Sequence, residues 1–71
     1  METVTIRDEF IKLGQALKLA GISDSGVDAK ELIKDGAVKV NGEVDLRRGR
    51  KLYDGDTVEV KGQSFRISAK K

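Results

Sequence analysis

From Ala37 onward the chain alternates apolar and polar residues, and glycine-bearing turns interrupt the alternation three times. Val38 and Val40 flank Lys39; Val58 and Val60 point one way while Thr57, Glu59 and Lys61 point the other. A side-chain period of two belongs to a half-buried β-strand. Asn41-Gly42 is a strong hairpin signal, because both residues tolerate positive φ. Val44 and Leu46 predict the returning strand, Leu52-Tyr53 a further one, and Phe65 with Ile67 the last. Asp54-Gly55 and Gly62-Gln63 supply the remaining turns. This part of the chain predicts a small sheet of short strands.

The first half reads differently. Val4 and Ile6 alternate with Thr3 and Thr5, which predicts one strand, expected to pair with the last one. On a helix beginning near Glu9 and capped by Asp8, the residues Phe10, Leu13, Ala16, Leu17 and Ala20 share one face, and Gly21 ends it. Ser25 opens a second helix, with Asp28 three residues on in the manner of a capping box. Ala29, Leu32 and Ile33 form its narrow apolar stripe and Gly36 stops it. With so few residues between them, the helices predict a compact helix–turn–helix-like pair. The fold class is therefore α+β: a two-helix pair packed on a small, mostly antiparallel sheet, with residues 1–71 forming one domain.

Seventy-one residues leave little core to spare, since a chain of this size buries only about 60% of its unfolded surface. Cysteine is absent, so no disulfide or thiolate ligand can support it. Histidine is absent too, which removes the commonest general acid–base and the commonest metal ligand. Met1-Glu2-Thr3 opens no signal-peptide pattern, and no apolar run approaches the roughly 18 residues of a membrane span. The expected compartment is the cytoplasm.

Net charge is only +2, but its distribution is uneven. Arg47, Arg48, Arg50 and Lys51 crowd around Gly49 with no acid among them. Arginine forks match phosphate oxygens bidentately, lysine adds a point charge, and Gly49 would let the backbone turn close to a ligand. The plain alternative is a solvated loop whose charges keep an edge strand from pairing. Lys12, Gln15 and Lys18 on the first helix, and Lys30 and Lys34 on the second, would extend a basic patch if their faces lie beside the loop. By themselves they are ordinary helix-surface residues. Glu31 and Asp35 interleave with the second set.

Other chemistry finds little footing. Phe10 and Phe65 fall on apolar faces and are expected in the core, whereas Tyr53, at a turn, could pack or stack on a base. So few aromatic rings disfavour a single-strand binder. Asp54, Asp56 and Glu59 could suggest a hard-metal site, but their spacing is not that of a calcium loop. Ser23, Ser25, Ser64 and Ser68 have no histidine base. Gly62-Gln63-Ser64 is too short for a phosphate loop. No enzyme, metal or cofactor is expected.

The order of motifs resembles the S4 RNA-binding domain, named after the fourth protein of the small ribosomal subunit and also described as the αL motif. Ala29, Leu32, Ile33, Gly36, Val38, Val40, Asn41 and Gly42 match its stretch across the second helix and first hairpin. Gly55, Asp56, Val58 and Val60 match its later strand. The segments from Leu13 to Ala20 and from Arg47 to Asp56 are similar to those of the short bacterial stand-alone proteins of the YaaA/YbcJ type. Two departures stand out. Gly26 is followed by Val27 where many relatives have two glycines, and Lys12-Leu13-Gly14 stands where larger S4 proteins carry arginine-leucine-aspartate.

The resemblance implies a bacterial, ribosome-associated monomer that binds structured RNA, ribosomal or transfer RNA. Its basic face would be Lys12, Gln15, Lys18, Lys30, Lys34, Arg47, Arg48, Arg50 and Lys51. In most S4 proteins the domain targets an attached catalytic domain; here any activity is expected to belong to a partner. The rival reading is a protein-interaction adaptor whose basic loop docks an acidic or ribosome-bound partner. A duplex-DNA binder ranks lower, because Glu31 and Asp35 on the second helix would face phosphates.

Overall fold

A computed structural model describes the backbone at residues 2–23 and 26–69, and the side chains there except those of 26 and 27. In chain order the elements are β1 (Glu2–Ile6), β2 (Phe10–Lys12), α1 (Leu13–Leu19), α2 (Gly26–Lys34), β3 (Val38–Val40), β4 (Glu43–Val44), β5 (Lys51–Tyr53), β6 (Thr57–Val60) and β7 (Gln63–Ala69). Five strands form one sheet in the order β1-β7-β6-β3-β4, and β2 pairs with β5 in a separate two-stranded ribbon. Among the described residues only β1 and β7 run parallel, with Val4 opposite Ile67; the other pairs are antiparallel. The α+β architecture, the helix pair and the pairing of first and last strands all agree with the sequence reading.

The period of two does what the pattern requires. Val4, Ile6, Val38, Val40, Val58, Val60, Phe65 and Ile67 point inward and join Leu13, Ala16, Leu17, Ala29 and Ile33 of the helices in one core, with Leu52 from the ribbon. Thr3, Thr5, Lys39, Glu59 and Arg66 occupy the solvated face of the sheet. Among the described residues no helix is long and apolar enough to cross a membrane.

Both helices end in the same way. Past α1, Gly21 adopts φ +76° and its N–H donates to the Lys18 carbonyl, while Ile22 N–H donates to Leu17. Past α2, Gly36 at φ +77° donates to Ile33 and Ala37 to Leu32. These paired bonds define a Schellman cap and satisfy carbonyls that a helix end would otherwise orphan.

Several boundaries differ from the sequence reading, each for a physical reason. The first helix starts at Leu13, not near Glu9, because Phe10–Lys12 is recruited as a strand against Lys51–Tyr53. Asp8 therefore caps nothing there; the residue before α1 is Lys12, which makes no side-chain cap bond. Phe10 consequently leaves the core and is half-buried on the ribbon, while Phe65 is fully enclosed as expected. The return strand stops at Val44, and both Val44 and Leu46 are exposed. The third turn is centred on Lys61-Gly62, both at positive φ, so Gln63 already lies in β7 opposite Val60. The Ser25 capping box and the Gly26-Val27 turn involve residues or side chains outside those described.

Phe65 is the largest fully buried side chain. Phe65→Ala is expected to cost about 3–5 kcal/mol, enough to unfold most of a domain this small at 37 °C. Leu46→Ala, at an exposed position, should leave the urea midpoint unchanged. Equilibrium urea unfolding followed by circular dichroism checks both.

Candidate nucleic-acid interface

The basic segment is a structured loop between β4 and β5. At its base, the Asp45 N–H continues the β-ladder by donating to the Val38 carbonyl, and its side chain turns inward to 5% exposure. That carboxylate gathers the arginines. Its Oδ1 accepts from the Arg47 backbone N–H at 2.8 Å and from Arg47 Nε at 3.2 Å. Its Oδ2 accepts from Arg47 Nη2 at 3.1 Å and from Arg50 Nη1 at 2.6 Å. The Arg47 hydrogen bond leads in holding the Asp45 carboxyl far below the usual carboxylate range, with Arg50 adding to it against the opposing effect of burial. In return the Arg47 guanidinium is raised. A turn closes the loop, Arg50 N–H donating to the Arg47 carbonyl at 3.2 Å.

The far side of the loop docks on α1. Leu13 N–H donates to the Arg50 carbonyl at 2.8 Å and Gly14 N–H to the Arg48 carbonyl at 3.1 Å. These are the first amides of the helix, which would otherwise lack partners. The approach is close because residue 14 is glycine: a Cβ there would lie 2.8 Å from Arg48 Cγ. Gly14, rather than Gly49, is therefore the glycine the contact requires. A Cβ at Gly49 would meet open space, and its φ lies outside the positive region.

This docking brings Lys12, Gln15, Lys18 and Arg48 around one open cleft of about 280 Å³, with Gly14 and Gly49 completing its lining. On the other flank of α1, Gln15 and Lys18 also line a wider groove of about 570 Å³ with Arg7, Phe10 and Leu19. Arg7, a cation the sequence reading passed over, lines it beside Asp8, so this groove carries both signs of charge. Lys30 and Lys34 are exposed on α2 and line neither of these depressions. Arg47 stays 73% exposed although it is held by Asp45, whereas Arg50 is about one-third exposed. Lys51 leans over the Phe10 ring, its Nζ 4.8 Å from the centroid, and Phe10 meets Tyr53 at 6.0 Å with the rings tilted by 49°.

Of the three acids that could suggest a metal site, Asp54 and Asp56 are used internally and Glu59 lies on the solvated face of the sheet. Asp54 Oδ1 accepts from Ala69 N–H, and Asp56 accepts from Tyr53 N–H through Oδ2 and from Asn41 Nδ2 through Oδ1. Among the described residues no group of three potential ligands is placed to hold a metal ion.

A helix pair with a loop clamped across the start of its first helix, set on a small sheet, defines the architecture of an αL-type domain. The S4 domain signature matches residues 4–68, and the chain belongs to the S4 domain family. It is 52% identical over 65 residues to the Bacillus subtilis (strain 168) protein named "Probable ribosome maturation protein RlbA", covering 90% of this chain and 92% of that one. It is 42% identical over 59 residues to YbcJ of Escherichia coli (strain K12), covering 83% and 84% of the two chains. The solution structure of E. coli YbcJ, described as revealing an αL motif involved in RNA binding, superposes with a TM-score of 0.75 over 97% of this chain and 89% of that one, at 38% identity. The 30S ribosomal protein S4e of Thermoplasma acidophilum gives a TM-score of 0.64 at 25% identity, over 84% of this chain and 32% of that one.

The Asp45 clamp predicts a pH signature. A carboxyl with a lowered folded pKa stabilises the fold above its ordinary value of 3.8 and loses that contribution as pH falls below it. Asp45→Ala should cost about 1–3 kcal/mol at pH 7, and the gap to the parent should narrow between pH 4 and pH 2. Urea midpoints of the two proteins across that range check it.

Proposed function

We propose that the protein anchors folded RNA, ribosomal or transfer RNA, through the face formed by α1 and the docked loop. The observation that carries this reading is the convergence of Lys12, Gln15, Lys18 and Arg48 on one cleft, from two segments far apart in the chain. Lys12, Lys18, Arg48 and Lys51 grip phosphate oxygens, and the exposed edges of Arg47 and Arg50 add to them. Gln15, carrying both a donor and an acceptor, reads a 2′-hydroxyl or a base edge. Lys30 and Lys34 extend the contact along α2. The names of its relatives support RNA as the ligand and the ribosome as the setting. A cytoplasmic, monomeric, bacterial RNA-binding protein without enzymatic activity fits this reading.

A second reading has an observation of its own. Val44 and Leu46 leave large apolar surfaces exposed beside the loop. An adaptor docking an acidic or ribosome-bound protein would cover them. Partner capture that survives nuclease treatment and fails with Leu46→Asp would favour that reading.

About six phosphate contacts give a log–log salt slope of about −4 to −5. Lys12→Glu, Lys18→Glu and Arg48→Glu together spare the Asp45 clamp. They should reduce that slope to about half and weaken binding to an RNA hairpin more than to a matched DNA hairpin, with an unchanged circular dichroism spectrum. An unaltered affinity and slope would remove the basic face from consideration.

A further inference from the structure

The ribbon of β2 and β5 carries two side chains inward, Ile11 and Leu52, which stand opposite each other and pack with the core. The other four point outward as two cross-strand pairs, Phe10 opposite Tyr53 and Lys12 opposite Lys51. Like charges directly opposite each other on a sheet repel, and Tyr53 keeps 49% of its surface exposed in a chain that has little apolar area to spare. Both features make sense together if the ribbon receives an anionic group attached to a flat ring.

We propose that the outward face of the β2–β5 ribbon is a stacking platform for one unpaired nucleotide of the bound RNA. Tyr53 takes the base, and Lys12 with Lys51 takes its phosphate. The inference rests on the RNA-anchoring reading and deepens it by naming the structural feature the RNA must carry: a bulged or terminal nucleotide next to a helix. Three observations support this. Phe10 buttresses Tyr53 at 6.0 Å and a 49° tilt, so the tyrosine ring is held without being covered in a stack. Lys51 is drawn over Phe10 at 4.8 Å, which offsets part of the repulsion from Lys12 and holds its charge beside the aromatic pair. Lys12 also lines the α1–loop cleft, so a strand gripped there leads directly onto the ribbon. A guanidinium or acidic peptide would be drawn to one pair and not to both; an unpaired nucleotide satisfies the ring and the two cations at once.

The chain reports on this itself, because Tyr53 is its single tyrosine and it has no tryptophan. Two RNA hairpins, one fully paired and one with a single bulged adenosine, are titrated into the full chain while tyrosine emission and affinity are measured. Quenching by the bulged hairpin alone, with roughly 5- to 100-fold tighter binding, is expected. Tyr53→Phe should keep the preference, and Tyr53→Leu should abolish it without changing affinity for the paired hairpin. Equal affinity for the two hairpins with no quenching would overturn the platform while leaving RNA anchoring in place. A bulge preference that survives in Tyr53→Leu would also overturn the platform. Failure to bind either hairpin would overturn both.

Discussion

Two backbone hydrogen bonds, from Leu13 and Gly14 to the carbonyls of Arg50 and Arg48, join the basic loop to the start of α1. A helix of seven residues does not hold itself together in water, and α1 has no side-chain cap at its start. The loop supplies the missing acceptors. In doing so it fixes where four cations stand relative to the exposed face of α1. The same bonds occupy two of the first amides of α1, which leaves the side chains around it as the main source of attraction for an anion. Gly14 is the one residue that allows this contact at its observed distance, and a larger side chain there would push Arg48 aside.

Asp45 plays the complementary role on the inner side of the loop. Crowded guanidinium groups repel, and a buried carboxylate between them turns that repulsion into a clamp. The charge arithmetic of the loop changes accordingly. Arg47 and Arg50 share one negative charge, whereas Arg48 and Lys51 form no ion pair with an acid among the described residues. The strongest field should therefore lie toward α1 and the ribbon, where Lys12 and Lys18 stand, and not evenly around the loop.

Much of the architecture was legible in the chain because it depends on local rules. Alternation from Val38 to Ile67 marks the inward faces, Asn41-Gly42 and Gly55 mark turns, and Gly21 and Gly36 mark helix ends. What was not legible depends on tertiary pairing. Phe10 to Lys12 carries a helical period that suits the following residues, yet the cross-strand partners Lys51 to Tyr53 override it. That single substitution of strand for helix moves Phe10 out of the core and onto the surface. The candidate site could be read from the sequence as a list of cations but not as a shape. Asp45 looks like any polar residue at the end of a strand, and nothing in its neighbours announces that it is buried under two arginines. Gly14 within a helical pattern looks like a weak point, and only the loop lying against it explains the missing side chain.

The acids complete the electrostatic picture. Asp54 and Asp56 are spent on backbone and side-chain amides around the β5–β6 turn, and Asp28, Glu31 and Asp35 line a separate cleft with Ser23 and Lys61. A net charge of +2 would attract polyanions only feebly if it were spread evenly. Asp8 lines the wider groove, whereas the smaller cleft gathers Lys12, Lys18 and Arg48 with no acid among its lining residues. Such an arrangement favours a partner whose phosphates match that geometry over one that merely carries charge. Shape sets how many contacts form at once, and salt screens each of them.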